Sequence, residues 1–173
     1  MSKKNITKKV PVSLLEQYQN SPHAHFFKRL GAYVYDVMVL IAVLMLATAI
    51  ALTVVIIAHK MGILDLSAYR DTADYLSKNS IFIVYLALII AGFFSYFWTK
   101  AGQTIGMKAW RLRVQNSDGS NISIMQSLIR LSTSAFGLGN ILALFQNRNA
   151  FQDLWAECEV VVLSKELNNS KRK

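Results

Sequence analysis

Arg29 and Asp36 are the two residues of this sequence whose chemistry is most constrained by where they stand. They lie seven residues apart, so on a helix they share one face about 10 Å apart along the axis, with Tyr33 between them. From Ala32 to Ala58, 27 residues, Asp36 is the only acidic or basic side chain. A carboxylate in such a segment is costly unless paired, and it marks a place for a cation, a proton or a partner arginine. The bland alternative is interfacial: Arg29 snorkels to the boundary, and water and head groups solvate Asp36 a little deeper. The residues alone leave both open.

A second constellation is KAGQTIGMKAWRLRVQNSDGS. Gly102 and Gly106 bracket Gln103 and Thr104 in a turn-like segment, and Leu112-Arg113-Val114-Gln115 alternates apolar with polar before a Ser117-Asp118-Gly119 turn. The alternation predicts a short strand, and Glu159-Val160-Val161-Val162-Leu163 is the partner the chain offers. If they pair, both lie on one side of any membrane. Gly102-x-x-x-Gly106 lacks the Gly-Lys-Ser/Thr ending of a phosphate loop, and no Ser/His/Asp or zinc-ligand pattern occurs. The expectation is therefore no enzyme, no cofactor and no metal. His23 and His25 lack a third ligand nearby, and Asp65, Asp71 and Asp74 lack calcium-loop spacing and read as a solvated face. Cys158, the single cysteine, stands beside Glu157 and Glu159, which oppose thiolate formation.

These groups need elements to hold them. The chain is 53% apolar and 17% charged, with mean hydropathy +0.31, which points to an integral membrane protein. Its +9 charge is not a nucleic-acid signature. Residues 1–30 carry six Lys/Arg and one acid, 99–130 carry five and one, and 59–80 carry three of each. The basic excess thus falls in alternate non-membrane segments, the positive-inside pattern, with no base-stacking module.

The apolar run from residue 32 predicts a first transmembrane helix, too long for a signal-peptide core, and 81–98 predicts a second closed by Tyr96, Phe97, Trp98 and Lys100. Ala87, Ala91 and Ser95 recur every four residues as a groove for another helix, plausibly the first. Residues 131–147 are uncharged but hold Gly137, Gly139 and Asn140. A plain third crossing would put the basic tail outside, so a broken or re-entrant segment is favoured, with a plain helix as the alternative. The expected fold is an all-α membrane protein: two transmembrane helices, a third broken or re-entrant segment, and a small two-stranded cytoplasmic β element. A basic cytoplasmic arm (1–25), with a short helix over 12–19 and lysines that suit anionic lipid, precedes a membrane domain (26–164) and a basic tail (165–173).

Three pieces, FFKRLGAYVYDVMVL, GQTIGMKAWRLRV and AFQDLWAECEVVV, occur in order around the two apolar runs, and together the chain resembles the RDD family of small bacterial membrane proteins. The resemblance matches Arg29 and Asp36 to the family's arginine and first aspartate, and Asp153 to its second. It implies a multi-helix inner-membrane domain, and the basic excess of the first segment adds the expectation of a cytoplasmic N-terminus. Some relatives are associated with cation/proton exchange, and others look like accessory membrane proteins. Gln152 stands where a histidine is frequent, which removes a titratable group, and residues 155–159 lack the family's usual Gly-Thr pair. Arg29 and Asp153 fall on the same side, so a pair between them is allowed.

Two functions follow as expectations. One is monovalent cation/proton exchange through Asp36, which would need a homo-oligomer or further subunits to enclose a path. The other is a non-catalytic accessory or scaffold role in a membrane complex, with Arg29, Asp36 and Asp153 structural.

Overall fold

The computed structural model describes residues 13–134 and 150–169. Most of the expected broken segment, 135–147, and the ends of both basic tails lie outside the described residues.

Two long helices form the frame. Helix α2 spans Phe26–Lys60 and α4 spans Ser80–Lys100, preceded by the short α1 (Leu14–Gln19) and α3 (Thr72–Lys78). At 35 and 21 residues, α2 and α4 are long and apolar enough to cross a membrane. Only 6% and 0% of their most apolar windows are buried within the protein, whereas the core helix of a soluble domain would be mostly covered. The two run antiparallel: the Tyr85 hydroxyl donates to the Ala47 carbonyl at 3.3 Å, and Ala32 and Trp98 share one apolar cluster. At the far end Asp71 caps α3 and Asp74 pairs with Lys78, so these acids serve local turns.

Everything else described gathers at the Arg29 end. Helix α5 (Ile105–Ala109), strand β1 (Leu112–Gln115), α6 (Ile124–Thr133), α7 (Phe151–Trp155), β2 (Glu159–Val162) and α8 (Lys165–Asn169) form a cap over that end of the helix pair. The two strands pair antiparallel, with Leu112 opposite Val162 and Gln115 opposite Glu159. The free edge of β2 is covered by the segment entering α2: Ala24 N–H donates to Val160 O, and Val162 N–H donates to Pro22 O, each at 2.8 Å.

Alternation along β1 does not mean one wet face, because all four residues are buried. Arg113 donates to Ala101 O at 3.1 Å and Asn121 Oδ1 at 2.6 Å and lies over the Tyr18 ring at 4.0 Å. It thereby brings a cation to the C-terminal end of α4, where Asn121 also donates to the Thr99 and Lys100 carbonyls.

Helix α6 starts at a Ser123/Gln126 capping box. Its burial is inverted: Ser127 and Arg130 are 0% and 6% exposed, while Ile124 and Met125 are 66% and 67% exposed. Its polar face therefore packs inward on α4 and its apolar face points out, as suits a helix lying against hydrocarbon. The groove predicted on α4 meets this helix at Ser95, whose hydroxyl pairs with that of Ser127 at 2.9 Å.

Candidate functional site

The first element of the site is Asp153, 1% exposed at the start of α7. Arg29 of α2 donates to its Oδ2 and Arg130 of α6 to its Oδ1. One carboxylate thus joins three helices that are far apart in sequence. Arg29 is itself aimed by a bond from Nε to the Ala24 carbonyl at 3.1 Å, which orients it from the turn just before α2. Arg130 also donates to Cys158 Sγ at 3.3 Å and stacks over Trp98, 5.0 Å from the ring centre.

Burial alone would push the Asp153 carboxyl up; the charges and hydrogen bonds of Arg130 and Arg29 outweigh it and hold the group below its ordinary 3.8. A carboxyl depressed in the folded state contributes stability that is fully present above the unfolded value and lost as pH falls through the folded one. Acid unfolding in detergent, followed by circular dichroism, is therefore expected below pH 3.8 for this group, and Arg130→Gln should move the midpoint upward. Equal midpoints in parent and variant would refute that linkage. At Cys158 burial raises the thiol pKa and outweighs the lowering by Arg130, so the thiol stays protonated and unreactive. The adjacent acids that the sequence pointed to are not the main cause.

The second element is Asp36, 5% exposed and turned toward α5. Its Oδ2 accepts from the Thr104 hydroxyl at 2.5 Å and its Oδ1 from the Gly106 N–H at 2.8 Å. Thr104 caps α5 by accepting from Met107 N–H at 3.2 Å. The segment that reads in sequence as a single turn is therefore a turn followed by a helix start. Gly102, at φ 67°, makes the turn, and Gly106 lies inside α5. Gln103 donates to Leu112 O at 2.7 Å and to Asn168 Oδ1 at 2.9 Å, tying the loop to β1 and α8. Asp36 contacts α5, while Arg29 contacts Asp153, so the motif charges form two ties between α2 and the cap.

Both ties border a cavity of about 470 Å³ between α2, α4 and α6. Arg29, Asp36, Arg130 and Gln152 supply its polar side, and Leu40, Ile90 and Phe94 are among its apolar walls. Gln152 is 3% exposed and carries no titratable proton. The sequence model of the RDD family matches residues 23–157, well over half the chain. The chain belongs to the RDD family. No curated protein and no solved structure matches it. This RDD protein is thus membrane-associated by family and carries two helices suited to crossing a membrane. Glu157 adopts φ 49°, a conformation that favours glycine.

Arg130 does not stand out in the sequence, because it falls in an ordinary amphipathic stretch. Its signal is its place on one face with Ser127 and Ser134, three and four residues away, an arginine on a narrow polar stripe among Leu128, Ile129 and Leu131. Among the described residues no group of three or more His, Cys, Asp or Glu is arranged to hold a metal ion; His23 instead faces Glu159 at 3.7 Å.

Proposed function

We propose that this RDD protein is a non-catalytic, multi-pass protein of the bacterial inner membrane that serves as an accessory or scaffold subunit, with its N-terminus and cap in the cytoplasm. The observation that carries this reading is that the motif carboxylates Asp36 and Asp153 are both engaged by donors of the protein itself, each across an α2–cap or helix–helix junction. The orientation rests on the basic excess read in the sequence for residues 1–30 and 99–130, against the balanced 59–80 segment. Broad apolar flanks on α2 and α4 leave room for lipid or for helices of a larger complex.

A second reading, monovalent cation/proton exchange through Asp36, is favoured by the cavity that reaches this carboxyl beside Tyr33 and Arg29. Proteoliposomes decide between them. The accessory reading expects no sodium- or potassium-dependent proton flux from the purified parent, and a similar loss of folded yield for Asp36→Asn and Arg29→Ala. Flux in the parent that vanishes in a well-folded Asp36→Asn protein would overturn it in favour of exchange.

A further inference from the structure

Helices α6 and α7 turn their charged side chains, Arg130 and Asp153, inward and their apolar bulk outward, exposing Ile124, Met125, Leu128, Leu154 and Trp155. Helix α5 exposes Ile105, and Trp110 follows it. Each of these helices is bonded to the long pair: α5 to α2 through Gly106 and Asp36, α6 to α4 through Ser127 and Ser95, and α7 to α2 through Asp153 and Arg29. By contrast, β1, β2 and α8 expose no large apolar side chain among the described residues. The apolar surface of the cap is thus confined to the helices that grip α2 and α4.

Its height along the pair follows from register. Ala32 of α2 and Trp98 of α4 share one cluster and so stand at about one level. A Cβ at Gly31 would overlap the Trp110 ring, which lays that indole, 41% exposed, on α2 beside this level. On α4, Asn121 donates to the Thr99 and Lys100 carbonyls just before α6 begins, and Ser127 then meets Ser95. Thr99 to Ser95 is four residues, about 6 Å of rise, so α6 descends from the end of the span into it. Asp153 bonds Arg29, two residues before Gly31, and Trp155, 63% exposed, is carried near the same level. All these supports fall within about two turns, roughly 11 Å, the width of one helix.

Extended apolar surface of this kind marks a membrane or protein contact. A protein partner calls for a patch on one side. Here the apolar groups recur at one height on supports from both long helices, and they continue the flanks of α2 and α4, of whose most apolar windows only 6% and 0% is buried. A belt at constant depth is the shape of a bilayer surface. Trp110 and Trp155 are the amphipathic rings that suit such a boundary, and the exposed Lys108, Arg111 and Glu157 beside them are charges that head groups and water solvate.

We infer that the cap is seated in the adjoining leaflet rather than above it, the outer faces of α5, α6 and α7 touching the glycerol region and upper acyl chains of ordinary phospholipid. No head-group charge is required. The tie of Asp153 to Arg29 and Arg130 then lies at the membrane boundary, screened from lipid by the apolar side of the cap. This goes beyond the accessory role and does not depend on it.

Tryptophan fluorescence of the full chain in phosphatidylcholine nanodiscs tests the seating. Trp98→Phe with Trp110→Phe leaves Trp155 as the reporter, and Trp98→Phe with Trp155→Phe leaves Trp110. Each reporter is expected to lose most of its emission when the lipid is brominated high on its acyl chains, less when the bromine is near the chain ends, and little to aqueous iodide. Where Trp98→Phe lowers the folded yield, a nitroxide on Met125→Cys in a Cys158→Ala background replaces it. That label should meet oxygen dissolved in the bilayer rather than an aqueous nickel chelate, and a label on Asp118→Cys should do the reverse. Quenching by iodide without a bromine effect would put these faces in water, shielding from both quenchers would assign them to a second copy, and a bromine effect at one tryptophan alone would leave a patch rather than a belt. Each of those results overturns the seating.

Discussion

Asp153→Asn is expected to remove most of the folded, monodisperse protein recovered in detergent, a larger loss than any other single substitution in the cap should cause. The amide keeps the shape but not the charge, so the Arg29 and Arg130 guanidiniums, 4% and 6% exposed, would face each other across a neutral group. Breaking a buried ion pair by removing one partner typically costs about 3–5 kcal/mol, because the remaining charge stays desolvated. That is comparable with the whole stability of a small domain, about 5–15 kcal/mol. The exposed Asp118, whose carboxylate accepts from Ser120 N–H at 2.8 Å, is the control. Asp118→Asn, on the exposed surface, should leave the heat stability close to that of the parent. Size-exclusion chromatography after graded heating measures both. An Asp153→Asn protein as heat-stable as its parent would show that the three-helix junction is held by packing rather than charge.

Gly106→Ala should be nearly as damaging, for a steric reason. A Cβ at Gly106 would overlap the Ala32 carbonyl oxygen and sit 2.9 Å from the Asp36 carboxyl carbon. The closer atom is backbone within a long helix and cannot turn aside. Helix α5 must lift from α2, which breaks the 2.8 Å bond from Gly106 N–H to Asp36. Overpacking costs about 1–3 kcal/mol, and losing a hydrogen bond to a charged group adds roughly 1.5–3 kcal/mol. Gly92 supplies the contrast, since a Cβ there meets nothing within 4 Å. Gly92→Ala on α4 should be neutral or slightly stabilising, because glycine is the poorer helix former by about 0.5–1 kcal/mol. The same heating assay compares the pair, and equal behaviour of the two would refute the close α2–α5 contact as the reason for glycine at 106.

The two variants also separate the two ties. Asp153→Asn strikes where α2, α6 and α7 meet, and Gly106→Ala strikes where α2 meets α5. These ties involve different helix turns and different cap elements, so their effects should add unless the cap detaches as one unit.

Legibility in the sequence differs by element. Apolar runs around 32–58 and 81–98 read directly as long helices, because the core of a soluble domain rarely sustains hydrophobicity over that length. Leu112–Gln115 and Glu159–Val162 read as strands from β-branched and alternating residues, and they are the pair observed. What alternation misrepresented was solvent: Arg113 and Gln115 are buried, because the cap closes over the second face as well. Arg29 and Asp36 stand out as a pair on one face, yet they point to different partners. A helical spacing says which residues share a face and not which neighbour each reaches.

By itself, then, the sequence determined the local quantities: span length, strand character, and the low charge that singles out Asp36. Family membership was also readable, from three short pieces in order. Only the tertiary structure decided that Asp153 lies between Arg29 and Arg130, residues 124 and 23 positions away, and that Asp36 faces Thr104 and Gly106, 68 and 70 positions away. Contacts of that range are set by how the cap packs across the helix ends. No short window of sequence contains both partners, and a buried charge can be matched only after the chain has brought its counter-charge near.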